Sequence, residues 1–460
     1  MGSLPVVREN LLIVMLGAVG VALISWLAVY AAPSLPIAVI TAVPAVLIGL
    51  RLGLWRSAVT VSFAASVLRS SDALPEMGDA LWYPVQFGPI LAAAAALFFF
   101  SSKPEDQRSV DRWIVYGLAG FVVVAAAGSV TTGSVTSQQQ VALLVLMSVF
   151  LGLTFTRRWS DDRHKLYGDM ALLFALISIA QVVGLAANAA GLEWATDPDY
   201  GRFRGLFSNA NYAGVLSAIA LPLAVRFWVS TRGSARLAVA TATTALVGAM
   251  LLSGSRGAIL AAVVGFLVAS YSPLARRFLG WAAAVAGVGA LIAWLANPGA
   301  LAPLTEFFGR DTNGVDITSG RTEIYGELLD RWGLNPLLGT GYRTTEELSA
   351  VGSQTGLAGH NIYLSVLAET GLIGAVVFLL LLAFIFRAGT GQAATRAIAG
   401  AAVAVAVVEL TESSIYGWGG PTALMAWLVL LGYSASARFP ADAPQTAAAV
   451  SDPPLATVTR

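Results

Sequence analysis

Apolar residues fall in blocks of about 17 to 22 positions, the length that crosses a hydrocarbon core roughly 30 Å thick as an α-helix. Short segments carrying Arg, Asp, Gly, Pro or Asn separate them. The ten-residue alternation of barrel strands is absent, so the spans are helices. Fourteen candidate spans follow, at 11–31, 36–50, 52–68, 82–100, 113–131, 139–156, 170–190, 212–231, 237–252, 257–274, 278–296, 361–386, 397–411 and 421–435. Arg51 and Arg56 lie between or within the second and third, where a shorter hairpin that never crosses is the alternative. The pattern predicts an all-α polytopic membrane protein of about 12 to 14 transmembrane helices.

One polar interval is long enough to hold structure of its own, at about 297–359. Within it Ile324, Leu328 and Trp332 form an i, i+4, i+8 stripe, joined by Tyr325 and Leu329, and this predicts an amphipathic helix over 322–332. Gly333 and Pro336 end it. Residues 1–435 read as one transmembrane domain with this loop inserted late, and 436–460, rich in Ala, Pro, Thr and Asp, as a disordered cytoplasmic tail.

Composition agrees with the pattern: 57% of the 460 residues are hydrophobic and 12% charged. The first apolar block is too long for a typical signal-peptide core and reads as a retained helix. With no cysteine and two histidines, disulfides, thiolate metal sites and histidine-rich metal sites drop out, and the expectation is a protein with no metal and no cofactor. With an even number of spans and cytoplasmic termini, 19 of the 27 basic residues fall on the inner side, as the positive-inside rule requires. His164, in the inner RRWSDDRHK segment, is then a solvated residue.

The basic residues left on the outer face are all arginines, and the position of several is telling. Arg202 and Arg204 precede the eighth span, Arg256 sits in the turn that opens the tenth, and Arg321 lies in the long loop. His360 opens the twelfth, and on a continuous helical wheel Gly371 and Gly374 fall beneath it as close-packing positions. Helices that run inward present unpaired N–H groups outward, so Arg204, Arg256 and His360 at three such ends make a compact anion site. Bland alternatives stand beside each. Arg202 and Arg204 pair with Asp197 and Asp199; Arg256 rests at headgroup level; Arg321 pairs with Glu323 or with other loop carboxylates. Ser208, Asn209 and Asn211 cap a helix, and His360 is an interfacial cap. Glu369 is a tempting catalytic acid, but nine residues beyond His360 it points to the other side of that helix, which favours a pairing or structural role.

Four segments in order, RFRGLFSNANYAG, LSGSRGA, SGRTEIYGELLDRWGLNPLLGTGY and AGHNIYLSVLAETGLIG, resemble the O-antigen ligase and Wzy-type polymerase superfamily of bacterial membrane glycosyltransferases. The last is the most specific: His360, Asn361, Gly371 and Gly374 occupy the family's His-Asn, Gly and small-residue positions. The resemblance covers roughly residues 200 to 380.

The resemblance implies a metal-independent glycosyltransferase of the membrane-embedded GT-C type in the bacterial cytoplasmic membrane. It implies transfer of a glycan from a polyprenyl diphosphate carrier to an acceptor hydroxyl on the outer face. Carried over by motif, His360 is the base, and Arg202, Arg204, Arg256 and Arg321 bind diphosphate. Asn209, Asn211, Tyr342 and Asn361 orient donor or acceptor. The implied partners are the lipid-linked donor, a glycan, lipid or protein acceptor and the bilayer, with no nucleic acid. The competing class, a secondary transporter of a small anion, requires ionisable residues near the middle of the spans, which here are almost purely Ala, Val, Leu and Gly.

Overall fold

The computed structural model describes residues 53–70, 79–101, 109–160, 162–198, 201–270, 321–345, 360–388, 396–418 and 420–439. The spans expected at 11–31, 36–50 and 278–296, most of the 297–359 loop outside the amphipathic helix, and the tail from 440 lie outside them. Within the described residues the chain is helical, and the one extended pairing is an isolated antiparallel bridge between Thr196 and Phe203.

The helices are α1 (Leu54–Arg69), α2 (Asp79–Phe100), α3 (Ser109–Thr132), α4 (Val135–Leu153), α5 (Arg163–Ala189), α6 (Ala210–Ser230), α7 (Gly233–Ser253) and α8 (Arg256–Ala269). They continue as α9 (Arg321–Leu334), α10 (Ile362–Ala388), α11 (Arg396–Val408) and α12 (Pro421–Ser436). Seven of the described helices, α2 to α7 and α10, are long and apolar enough to cross a membrane, so the chain is an all-α, multi-pass membrane protein. The amphipathic helix expected over 322–332 is α9, with Ile324 and Leu328 buried against Ala368 and Leu364 of α10.

Local chemistry sets the ends. The Ser134 hydroxyl accepts from the Ser137 amide at 3.1 Å to start α4. Asp162 starts α5, accepting from the amides of His164 at 2.8 Å and Lys165 at 3.1 Å. The Lys165 amide above all holds the Asp162 carboxyl below its usual range, while His164 is exposed. Gly254, at φ 62°, supplies the left-handed turn that ends α7 and lets α8 start two residues later. Pro421 opens α12 at the position where a missing N–H costs nothing.

Small residues decide how the core closes. Between α8 and α11 the backbones nearly touch: a Cβ on Gly265 would lie 2.5 Å from the Gly400 carbonyl oxygen, closer than any side chain permits. Every residue of α12 is buried, so this helix is packed on all sides. At one end, Asp169 of α5 is fully buried and takes hydrogen bonds from Arg56 (2.8 Å), Arg158 (2.6 and 2.8 Å) and the Trp159 indole (2.9 Å). This cluster ties α1, α5 and the turn after α4 together.

Burial marks the site. The connection from Glu409 to Trp418, between α11 and α12, keeps its polar residues Glu409, Glu412 and Ser414 buried along with Ile415, Tyr416 and Trp418.

Candidate functional site

The connection between α11 and α12 is a polar loop, ELTESSIYGW, held by its own first residue. The Glu409 carboxylate accepts from the Ser414 hydroxyl and from the Ile415 amide at 3.2 Å, so a side chain closes the turn that the backbone leaves open. The Trp427 indole of α12 donates to the Ile415 carbonyl at 2.9 Å, and Thr422 donates to Ser414 at 3.1 Å.

Around this loop runs a chain of hydrogen bonds from four parts of the sequence. Arg202 Nε donates to the Ser253 carbonyl at 2.6 Å, and its Nη2 to Asn211 Oδ1 at 2.6 Å. The Asn211 amide then donates to Glu412 Oε1 at 2.9 Å, and Glu412 Oε2 stands 3.4 Å from His360 Nδ1. With a proton on Nδ1 shared toward the carboxylate, Nε2 carries the lone pair.

His360 is fixed independently of its ring. Its backbone adopts φ 34°, a conformation rare outside glycine. Its carbonyl accepts from the Tyr325 hydroxyl of α9 at 3.3 Å. The next two residues complete the attachment. Asn361 Oδ1 caps α10 by accepting from the Leu364 amide at 3.1 Å, its Nδ2 donates to Leu410, and the Ile362 amide donates to Glu409 at 3.1 Å. The histidine thus precedes α10 rather than forming its first turn.

The expected site residues divide into those gathered at the loop and those that build its frame. Arg202, Asn211, His360 and Asn361 are gathered by the bonds above. Arg256 joins them through its neighbour: a Cβ on Gly257 would lie 2.0 Å from Thr411 Oγ1, so the exposed first residue of α8 stands beside the loop. Arg204 is 8% exposed, and its Nε donates to the Trp194 carbonyl at 3.1 Å. Asn209 caps α6, accepting from the Asn211 amide at 2.7 Å. Tyr342, 1% exposed, donates to the Tyr416 carbonyl at 3.0 Å and so supports the far end of the loop. Arg321 is the first residue of α9, one turn before Tyr325.

Gly371 and Gly374 do not lie on one unbroken wheel with His360, because α10 breaks at Gly371 (φ 66°, ψ −171°). What meets Gly371 is loop backbone: its Cβ would stand 2.2 Å from the Leu337 carbonyl oxygen. A glycine inside an apolar run reads as a packing residue, and only the tertiary contact reveals a break.

Sequence reasoning passed over Glu412. The available signal was two carboxylates three residues apart, Glu409 and Glu412, directly after an apolar span, where ionisable residues are costly and tend to carry function.

Residues 237–379 match the family model described as O-antigen ligase. The segment takes in Arg256, Arg321, Tyr342, His360, Asn361, Gly371 and Gly374, and leaves Arg202, Arg204, Asn211 and Glu412 outside. Over 212 residues the chain is 27% identical to "Exopolysaccharide production protein ExoQ" of Rhizobium meliloti (strain 1021), covering 40% of this chain and 46% of that protein. The match thus spans less than half the length of that relative. Both matches bear out the resemblance to the O-antigen ligase and Wzy-type polymerase superfamily drawn from the motifs.

Proposed function

We propose that this chain, with its O-antigen ligase segment at 237–379, is a membrane glycosyltransferase that ligates or polymerises polysaccharide. Its donor is a glycan on a polyprenyl diphosphate, and its acceptor a hydroxyl presented at the outer face of the bacterial cytoplasmic membrane. Both termini then lie in the cytoplasm. The observation that carries the reading is the hydrogen-bonded chain Arg202–Asn211–Glu412–His360, with Arg256 alongside.

In the reaction the acceptor oxygen forms a bond to the anomeric carbon as the bond from that carbon to the diphosphate oxygen breaks. His360 Nε2 takes the acceptor's proton, and Glu412 holds the ring orientation and offsets the charge that appears on it. The diphosphate departs with the bonding electron pair. Arg256 and Arg202 meet its charge, together with the N-termini of α6 and α8, whose amides are oriented before the reaction begins. Arginine suits that task because its planar fork matches two phosphate oxygens and keeps its proton.

Deleting the gene in its source organism tests the reading at the level of substrate. The expected result is a surface polysaccharide that shortens or disappears while its units accumulate on the lipid carrier. Unchanged surface glycans and no accumulated lipid-linked intermediate would contradict it.

A further inference from the structure

Glu369 is a buried carboxylate in the α10 span that the transfer step does not use. It is 1% exposed, nine residues beyond His360 and two before the break at Gly371. A carboxylate is costly to keep at such a place unless its oxygens are met. One turn of chain meets both of them. Oε2 accepts the Arg343 amide at 2.6 Å; Oε1 accepts the Thr345 amide at 3.1 Å and the Thr345 hydroxyl.

That turn belongs to the NPLLGTGYRTT segment, which is inserted into the broken helix. The amides that the break frees, of Leu372 and Ile373, donate to Pro336 (2.8 Å) and Leu337 (3.3 Å). The carbonyls of Ala368 and Glu369 accept from Thr340 (3.0 Å) and Gly341 (2.9 Å). The approach is backbone against backbone, since a Cβ on Gly339 would lie 2.3 Å from the Glu369 carbonyl carbon.

The turn then reaches the site from its other side. The Tyr342 hydroxyl donates to the Tyr416 carbonyl, Ser137 of α4 donates to the Tyr342 carbonyl at 2.7 Å, and the Arg343 guanidinium lies against Gly417. Tyr416 and Gly417 close the loop on which Glu412 sits. Arg343 itself adopts φ 63°, so it and His360 are the two non-glycine residues at positive φ among the described residues. Both stand where this loop is gripped.

We infer that Glu369 is a positioning residue for the transfer reaction: it anchors the 341–345 turn, which fixes the 409–418 loop and thereby the Glu412–His360 pair, and it touches no substrate. The inference rests on the transferase reading for its consequence, but the geometry it asserts is testable without turnover. Glutamine at 369 keeps the shape yet turns an NH₂ toward an amide that now lacks its acceptor, so the turn loosens while the apolar contacts of α10 remain.

The chain has two histidines, one of them the exposed His164, so ¹⁵N-histidine NMR of the purified full chain in nanodiscs reads His360 directly. Wild type is expected to show a single His360 tautomer with the proton on Nδ1. Glu369→Gln, like Glu412→Gln, should give a mixture of tautomers. It should lower transfer on the order of 10²-fold, the penalty of a misplaced reacting group. Binding of undecaprenyl diphosphate should stay within twofold of wild type. Tyr342→Phe, which removes one hydroxyl, should move the same signals in the same direction and serves if Glu369→Gln does not fold. Folded Glu369→Gln with the wild-type tautomer, or Tyr342→Phe with it where Glu369→Gln does not fold, overturns the inference. Shifted tautomers with no transfer by wild type would leave the positioning role intact and remove the transferase reading instead.

Discussion

His360 Nδ1 and Glu412 Oε2 stand 3.4 Å apart although 52 residues of chain separate them. The contact is made by two different helix ends: the residue before α10 and the loop after α11. Two hydrogen bonds beside it, Ile362 to Glu409 and Asn361 to Leu410, hold those ends together, so the pair does not depend on its own attraction.

Glu412→Gln removes the charge that faces the imidazole and leaves the side chain its length. Transfer should fall by about 10²- to 10⁴-fold, the range for disabling an acid–base group, with donor affinity little changed. Rates and carrier binding measured on the same purified protein separate the two effects.

The arginines should separate by position. Arg256→Lys keeps the charge and loses the fork, so carrier binding and transfer both fall while membrane expression stays normal. Arg204→Lys disturbs a bond to the Trp194 carbonyl and should lower thermal stability more than carrier affinity. Titration with undecaprenyl diphosphate and a melting curve for each variant provide the comparison.

Gly371→Ala places a methyl group on the Leu337 carbonyl in a backbone region that side chains rarely enter. The strained backbone alone costs about 1–3 kcal/mol, and the melting temperature should drop clearly. Gly248→Ala in α7, where the nearest atom to a new Cβ is 3.9 Å away, should be neutral or slightly stabilising.

Asp169→Asn leaves Arg56 and Arg158 facing each other across a buried amide. Breaking a buried ion pair costs up to about 3–5 kcal/mol, reduced here because the arginine side chains are 28% and 16% exposed. A loss of folded protein in size-exclusion profiles at raised temperature is the expected outcome.

The helices were legible because a bilayer demands long apolar runs, and α9 because its apolar stripe repeats every four residues. Capping at Asn209 was legible too, since Asn before an apolar run has a local meaning. The site was only half legible. Arg202 and Arg204 are two apart in an extended segment bridged at Phe203, and no local pattern tells which of them turns to Asn211 and which to Trp194. Glu412 lies in the turn after α11, and its contact with His360 joins positions 52 residues apart, which no local pattern shows. The break at Gly371 needed the NPLL segment to be seen lying in it.

The proposed topology puts the 297–359 loop outside and both termini inside. The chain has no native cysteine, so Ala350→Cys and Ser160→Cys can be labelled one at a time in intact cells. A membrane-impermeant maleimide should label the first without permeabilisation and the second only after it; the reverse order would invert the orientation.

The central claim is that His360 takes the acceptor's proton, and single-turnover transfer by purified His360→Gln tests it most directly. Glutamine can hydrogen-bond to Glu412 but cannot accept and hold a proton. The variant should bind undecaprenyl diphosphate as wild type does and transfer glycan about 10²- to 10⁴-fold more slowly. Transfer at the wild-type rate by a folded His360→Gln protein would contradict the account.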